Sequence, residues 1–206
     1  EVIFIGRFFN KGKIDFTRTI ALAGSEVKNP SYSKVVLGAQ LTNIVAGRLE
    51  NNFENRIIDG NVLTGKKTTA DGFLGAFSTE VTVIPEILND ADILGWAAPR
   101  FGMYSTSRSY FSWLCPKRKY TIDARIKGGE RHMIMSNEYD KVFPMDIYAG
   151  YLVKAIITGD IDKQEQLGIY EVAPEDFAVA EFVDSSKLEL QRIVREGLDI
   201  LRKENN

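Results

Sequence analysis

The chain of 206 residues contains one cysteine, Cys115, and one histidine, His132. A single cysteine cannot form an intrachain disulfide, and it cannot supply the thiolates that an iron–sulfur cluster or a structural zinc ion requires. A single histidine excludes the histidine-rich zinc and iron sites and leaves little for acid–base catalysis by imidazole. Composition therefore excludes much metal, redox and nucleophile chemistry before any motif is considered.

Long hydrophobic runs and an excess of one charge are also missing. No run reaches the roughly 18–20 apolar residues that a membrane span needs, so the chain is not expected to cross a bilayer by itself. The 26 Lys and Arg residues nearly balance the 28 Asp and Glu residues, which argues against nucleic acid as the main partner. The chain begins at Glu1 without a signal peptide, so we expect it to be a piece of a longer protein.

What is present predicts an α+β protein. Apolar content of 44 % and charged content of 26 % are ordinary for one medium or two small soluble domains. Short apolar or alternating runs predict strands, and residues 39–49 have helical spacing. The predicted strands are 2–5, 16–23, 33–37, 56–59 and 81–84, and residues 93–96 form a further short apolar run. Residues 14–70 thus have the order of a small mixed module, and the stretch from about 76 to 130 is an irregular connector.

The carboxyl-terminal third has helical periodicity. A first helix is predicted to begin at Pro144 and to end at Gly159, and a shorter one covers residues 174–182. Ser186 and Glu189 have the spacing of a capping box before the last helix. The expected face of the first helix is Tyr148, Tyr151, Leu152, Ala155 and Ile156, and that of the last is Leu190, Ile193, Val194, Leu198 and Leu201.

Two motifs resemble ligand-binding loops and fail at a required position. Residues 60–66 fit the G-x-x-x-x-G-K pattern of a phosphate-binding loop, but Lys67 stands where a Ser or Thr must hold magnesium. A turn after a strand is the better interpretation. Residues 160–171 have part of a calcium-loop pattern, but Glu165 replaces the glycine of the sharp turn, so a solvated acidic helix start is favoured.

Cys115 and His132 are the remaining candidates for chemistry. Three basic residues at 117–119 could lower the pKa of the Cys115 thiol, but no base accompanies it, so an incidental cysteine is favoured. His132 is best interpreted as polar surface. We therefore predict no catalytic residue and no metal ligand, and cofactor-binding residues stay unassigned.

Several short, uncommon sequence motifs occur in an order that resembles a known family. Residues 19–24, 27–30, 37–38, 57–60 and 63–65 resemble the soluble-ligand-binding β-grasp domain of respiratory NADH dehydrogenase subunits. Residues 5–9, 95–96, 128–131 and 137–147 extend the likeness to the carboxyl-terminal half of the A subunit of the sodium-translocating NADH:quinone reductase. The resemblance implies a small β-grasp (ubiquitin-like) domain at residues 1–75, a connector at 76–130 and an α-helical domain at 131–206.

The C subunit of the Rnf ferredoxin:NAD oxidoreductase resembles this family and has two ferredoxin runs of the form C-x2-C-x2-C-x3-C-P in its helical domain. We call the eight residues of this chain that stand where the thiolates would be the template positions. They are Met133, Ser136, Tyr139 and Phe143 in the first run and Pro174, Phe177, Ala180 and Asp184 in the second, where Ser185 replaces the final proline. Since none carries a thiolate, the helical scaffold is expected without either cluster.

The resemblance implies a non-catalytic, peripheral part of a sodium-pumping NADH:ubiquinone oxidoreductase. It further implies a contribution to assembly of the complex and to contact with ubiquinone. The complex uses NADH, flavins, an iron site, ubiquinone and Na⁺, and this chain is expected to bind none of these cofactors itself. Its expected partners are the other subunits, on the cytoplasmic side of the bacterial inner membrane, with membrane contact only through them.

Two other functions remain open from the sequence. The β-grasp module could be a receptor for a small ligand, either a quinone or a soluble metabolite, in an apolar cleft with few polar anchors. A free-standing enzyme that uses Lys66 or Cys115 is the weakest alternative.

Overall fold

A computed structural model describes residues 2–50, 54–87, 99–104, 108, 110–126, 131–134 and 137–204. The chain forms two compact units, Glu1–Asp90 with Thr121–Arg125 and Ala91–Tyr120 with Ile126–Asn206. The mixed α+β class is confirmed: the first unit holds a five-stranded sheet and the second holds helices. The short apolar run at 93–96 lies outside the described residues. The domain boundaries at 75 and 130 stay predictions.

The first unit contains two helices and one sheet. Its elements are α1 (Val2–Lys11), β1 (Thr17–Ala23), β2 (Ser31–Val36), α2 (Leu41–Val45), β3 (Asn55–Asp59), β4 (Lys66–Thr68) and β5 (Glu80–Pro85). The strand order is β2-β1-β5-β3-β4. Strand β5 is parallel to β1, and every other neighbouring pair is antiparallel. The central strand β5 therefore lies beyond residue 75, within the segment that the family resemblance implies to be a connector.

Alternation of apolar side chains explains how the sheet is buried. In β1, Ile20 and Leu22 point to the same face and are each 1 % exposed. Helix α2 covers that face with Leu41, Ile44 and Val45. Strand β5 is buried at five consecutive residues, as expected for a central strand covered on both faces. Four of the predicted strands are thus confirmed, whereas the predicted helix at 39–49 is shortened to α2.

The prediction of a strand at residues 2–5 is wrong, because these residues lie in helix α1. Apolar residues at positions 2–5, 8 and 9 fit a helical repeat once the whole segment is considered, and the ring of Phe4 packs at the edge of Phe16. A four-residue apolar run does not distinguish the two structures by itself. The helical repeat becomes visible only over the ten residues that α1 spans.

In the described part of the second unit, four α-helices pack around one core, and short 3₁₀ turns accompany them. The helices are α3 (Ala149–Thr158), α4 (Ile161–Gln166), α5 (Ala178–Val183) and α6 (Leu190–Glu204), and the turns are Phe111–Leu114, Tyr139–Lys141, Ile169–Glu171 and Pro174–Phe177. The predicted face of α6 is confirmed, since the five residues predicted for that face are all buried in this core or packed against it. Gly197 permits a close approach of α6 to α3, because a Cβ there would lie 2.9 Å from Ile156 Cγ2.

Three details of the predicted helices are wrong. Helix α3 begins at Ala149, five residues after Pro144, and Tyr148 and Tyr151 are 70 % and 62 % exposed instead of buried. Gly159 ends α3 in the left-handed conformation, as predicted. The capping box before α6 does not form, because the Ser186 hydroxyl accepts a hydrogen bond from the Ile134 N–H.

Candidate functional site

The template positions that the structure describes lie in and around the core of the helical unit. Tyr139 and Asp184 are each 1 % exposed, and the Tyr139 hydroxyl donates a 2.8 Å hydrogen bond to Asp184 Oδ1. The Ser186 and Leu188 amides also donate to the Asp184 carboxylate, at 3.1 and 2.8 Å. Burial, together with this hydrogen bond, raises the pKa of the Tyr139 hydroxyl far above its usual value, so it is a permanent donor.

The other template positions are filled by apolar groups. The rings of Phe143 and Phe177 lie 4.8 Å apart between centroids, tilted at 56°. Phe177 is fully buried, Ala180 is 1 % exposed, and Met133 packs against the same core. Pro174 is also buried. Ser136 lies outside the described residues.

These contacts follow a pairing that ferredoxins use for ligands. In a two-cluster ferredoxin, the fourth cysteine of each run binds the cluster of the other run. Asp184 stands at the fourth position of the second run and contacts Tyr139, from the first run. Phe143 stands at the fourth position of the first run and contacts Phe177, from the second. The two runs therefore meet crosswise, through a hydrogen bond and a ring contact.

Phenol, phenyl and methyl groups at these positions cannot replace thiolate ligands. A buried Tyr–Asp pair and an aromatic pair hold the elements together through a hydrogen bond and a ring contact. The arrangement has the chemistry of a structural core. Among the described residues, no group of three or more His, Cys, Asp or Glu side chains is arranged to hold a metal ion.

The sheet unit contains an ion cluster that no sequence pattern predicted. Arg56 on β3 binds the Glu86 carboxylate through two nitrogens, at 2.6 Å each, and Lys67 on β4 adds a contact at 3.1 Å. The Arg56 guanidinium, helped by Lys67, lowers the pKa of Glu86 to about 2, although burial opposes the shift. Residues 56 and 86 are 30 positions apart in the sequence, so no local sequence pattern predicts this ion pair. The cluster joins β3 and β4 to the residue that directly follows β5.

The segment that resembles a phosphate-binding loop is a turn, as predicted. Asn61 Oδ1 accepts hydrogen bonds from the Leu63 and Thr64 amides, and strand β4 begins at Lys66. The phosphate-binding motif requires a helix after the lysine, so this segment does not have it. Before the turn, Asp59 Oδ2 accepts a hydrogen bond from the Gly75 amide at 2.9 Å.

A small cleft lies at the end of the first hairpin. It has a volume of about 210 Å³ and is lined by Lys28, Asn29, Ser31, Gly47 and Arg48. The Lys28 amide donates to the carbonyl of Arg48, and the Arg48 guanidinium donates to Ser33 Oγ at 2.8 Å. These bonds bring two residues with cationic side chains together at the lining of one cleft. The sequence of residues 28–30 predicts a turn here, but no sequence pattern predicts that Arg48 lies beside that turn.

The remaining candidates have ordinary surroundings. Cys115 is exposed and lies with Pro116, Lys117 and Arg118 around a shallow cavity of about 440 Å³. His132 is exposed. Asp160 caps helix α4 by accepting a hydrogen bond from the Lys163 amide, which confirms the solvated acidic helix start. No helix of the described residues combines the length and the apolar character that crossing a membrane demands.

Comparison with known proteins tests the family resemblance. Residues 19–70, from β1 to beyond the end of β4, match the family model described as the NQRA C-terminal domain. Over 205 residues, 99 % of this chain, it is 38 % identical to the A subunit of the Na⁺-translocating NADH-quinone reductase of Rhodopirellula baltica. It is 35 % identical over the same length to the corresponding subunits of Pasteurella multocida and Neisseria meningitidis serogroup B.

The aligned residues make up 45 % of each of these relatives, so the chain spans about half of their length. The aligned region covers both the sheet unit and the helical unit, and it includes all of the sequence motifs that carry the family resemblance. The predicted resemblance is confirmed: along nearly its whole length, this chain is homologous to the A subunits of the Na⁺-translocating NADH-quinone reductases.

Proposed function

We propose that this chain is a non-catalytic scaffold within the A subunit of a Na⁺-translocating NADH:quinone reductase. One observation carries the proposal: a hydrogen bond joins Tyr139 to Asp184 and a ring contact joins Phe143 to Phe177, at positions where the resemblance to the Rnf C subunit implies cluster ligands. The unit therefore holds its helices by packing and takes no part in electron transfer. NADH, flavins, iron and Na⁺ would be handled by other parts of the complex.

The sheet unit is proposed to be a β-grasp domain. Three features support it: an amino-terminal hairpin of β1 and β2, a helix that covers one face, and the last strand β5 placed centrally and parallel to β1. The matching family model covers four of its five strands. In the complex, this domain and the helical unit would contact neighbouring subunits on the cytoplasmic side of the membrane.

The scaffold role is tested in the assembled complex. Deleting residues 1–206 of this chain from the full-length A subunit should impair co-purification of the other subunits or NADH-driven quinone reduction, and full Na⁺-coupled turnover would refute the role. Lys66→Ala and Cys115→Ala are matched controls that should leave turnover unchanged. A loss with either control would favour the enzyme hypothesis instead. Stoichiometric iron with acid-labile sulfide in the purified polypeptide would also contradict the scaffold role.

A second function, binding of a small ligand, is favoured by the cleft between Lys28 and Arg48. Pockets for drug-sized ligands usually measure about 300–1,000 Å³ and are mainly apolar. This cleft is smaller and has two cations, which suits a carboxylate or phosphate better than a quinone ring. Titration calorimetry of the full-length protein with small anions and with a quinone analogue separates the two. Lys28→Gln should abolish anion binding, and Lys34→Gln, on β2 outside the cleft, is the control.

A further inference from the structure

Helix α1 has one face held by its own unit. Phe4 packs edge-on against Phe16, with the ring centroids 5.6 Å apart. The Arg7 guanidinium donates to the carbonyl of Thr17 and lies 3.7 Å from the Asp15 carboxylate. These contacts fix the helix against the start of β1 through positions 4 and 7, which are one turn apart.

The opposite face of α1 is apolar and bare. Val2, Ile5 and Phe9 are 82 %, 56 % and 80 % exposed, and their spacing of three and four residues places them in one stripe. Ile3 is also 68 % exposed, but it lies about 100° around the helix from Val2, outside the stripe. None of the residues of α1 is buried. Gly6 lies beside the stripe, and a Cβ at that position would meet nothing within 4 Å, so there is room for another backbone to approach.

Such a helix needs a cover. Isolated helices shorter than about 12–15 residues are marginal in water, and α1 has ten residues with only two anchoring side chains. Most helical stability in proteins comes from packing of an apolar face. Homologous subunits continue for more than half of their length outside the aligned region, and the matching family model is described as a C-terminal domain. We infer that the Val2–Ile5–Phe9 stripe packs against the part of the full-length A subunit that this chain does not contain.

Two other occupants fit the stripe less well. Helices that lie in a membrane surface carry Lys and Arg on the polar face, free to reach headgroups, whereas Arg7 is bound to Thr17 and Asp15. A stable contact between two copies buries about 800 Å² on each partner. The stripe has three side chains, and even an aromatic one buries only about 150–250 Å². A segment of the same chain needs less area, because covalent connection raises its effective concentration.

Thiol labelling of the isolated, full-length protein tests the inference. Cys115 and any cysteine outside this chain are replaced by Ser, and Phe9→Cys is compared with Phe77→Cys, which replaces a turn residue that is 82 % exposed. We expect Phe9→Cys to react with a maleimide about tenfold more slowly than Phe77→Cys under native conditions, whereas the two should react at equal rates in urea.

Three results would overturn the inference. Equal native rates for the two variants would mean that the stripe is bare in the full-length protein. Protection of Phe9→Cys that disappears on dilution would identify a second copy as the cover. Protection that appears only with anionic lipid vesicles or only in the assembled complex would assign the stripe to a membrane or to another subunit. Because neither variant changes a buried residue, misfolding does not obscure the comparison.

Discussion

The buried pair of Tyr139 and Asp184 gives the sharpest prediction. Tyr139→Phe removes only a hydroxyl, which donates a 2.8 Å hydrogen bond to a carboxylate in a fully buried setting. A hydrogen bond to a charged group contributes about 1.5–3 kcal/mol to stability. Asp184 keeps the Ser186 and Leu188 amides as donors, so its charge is not left unpaired. We therefore expect a loss near the lower limit, about 1.5–2 kcal/mol.

Asp184→Ala should cost more than Tyr139→Phe, because it removes the acceptor for three donors. The Tyr139 hydroxyl and two amides would then lack their partners in the core of the helical unit. An unsatisfied buried polar group costs about 1–3 kcal/mol. Relaxation and water entry reduce the sum, so we expect a loss of about 3–5 kcal/mol. The order of the two variants is what distinguishes a shared acceptor from a single isolated hydrogen bond.

The same pair predicts a dependence on alkaline pH. Burial, and secondly the Asp184 carboxylate, raises the pKa of Tyr139 in the folded protein above its unfolded value near 10. Between these two values the unfolded chain holds fewer protons, so the free energy of unfolding falls as pH rises. The contribution is fully present below about pH 10. Tyr139→Phe should remove this part of the alkaline slope.

Urea unfolding followed by far-ultraviolet circular dichroism measures these effects. Tyr148→Phe is the matched control, because it makes the same chemical change at a side chain that is 70 % exposed. It should change stability by less than about 0.5 kcal/mol. The reasoning fails if Tyr139→Phe costs no more than this control, or if Asp184→Ala is as mild as Tyr139→Phe.

Three further variants test other contacts. The Arg56 guanidinium lowers the pKa of Glu86 from 4.5 to about 2, so the stability that this ion pair contributes is present above pH 4.5 and is lost as pH falls towards 2. Between these two pH values, the free energy of unfolding from urea titrations should fall by about 2–3 kcal/mol less in Glu86→Gln than in the unchanged protein. Gly24→Ala should lower the free energy of unfolding by about 3 kcal/mol or more, because its Cβ would clash with the backbone oxygen of Val83. Gly38→Ala has open space around its Cβ and should cost only about 1 kcal/mol. Equal losses in thermal unfolding would contradict this reasoning. Glu181→Gln replaces the carboxylate that accepts a hydrogen bond from the Gln191 amide by a neutral and weaker acceptor. The variant should lose about 0.5–1 kcal/mol of stability in the same assay, and an unchanged melting temperature would contradict the cap.

Much of the secondary structure was predictable because local periodicity and tertiary burial agree. The alternation around Ile20 and Leu22 identifies β1, and the 3.6-residue repeat from Leu190 to Leu201 identifies α6, with boundaries close to those observed. In both elements the residues that the pattern points inward are those that the core buries. The left-handed residue at Gly159 was predictable for the same reason, since only the local backbone decides it.

Prediction failed where a distant partner competes for a local group. Ser186 has the spacing of a helix cap, but its hydroxyl accepts from Ile134, 52 residues away. The amino end of α6 is instead capped by Glu181, which lies ten residues before the amide that it binds. The ion pair of Arg56 and Glu86 likewise depends on the pairing of β3 with β5, which no sequence pattern specifies. Local rules cannot rank such contacts against one another.

The template positions link the sequence reasoning to the proposed scaffold role. A cysteine is small, and a cluster would add its own volume between the two runs. Without the cluster, a cavity would remain, and cavities cost about 24 cal/mol per Å³. Tyr139, Phe143 and Phe177 are much larger than cysteine, and they fill the core at these points. Under the scaffold role, the stability of the helical unit is therefore independent of iron, of chelators and of oxygen. A single cysteine introduced in place of one of these three residues would open a cavity, and it could not by itself supply the several thiolates that a cluster needs.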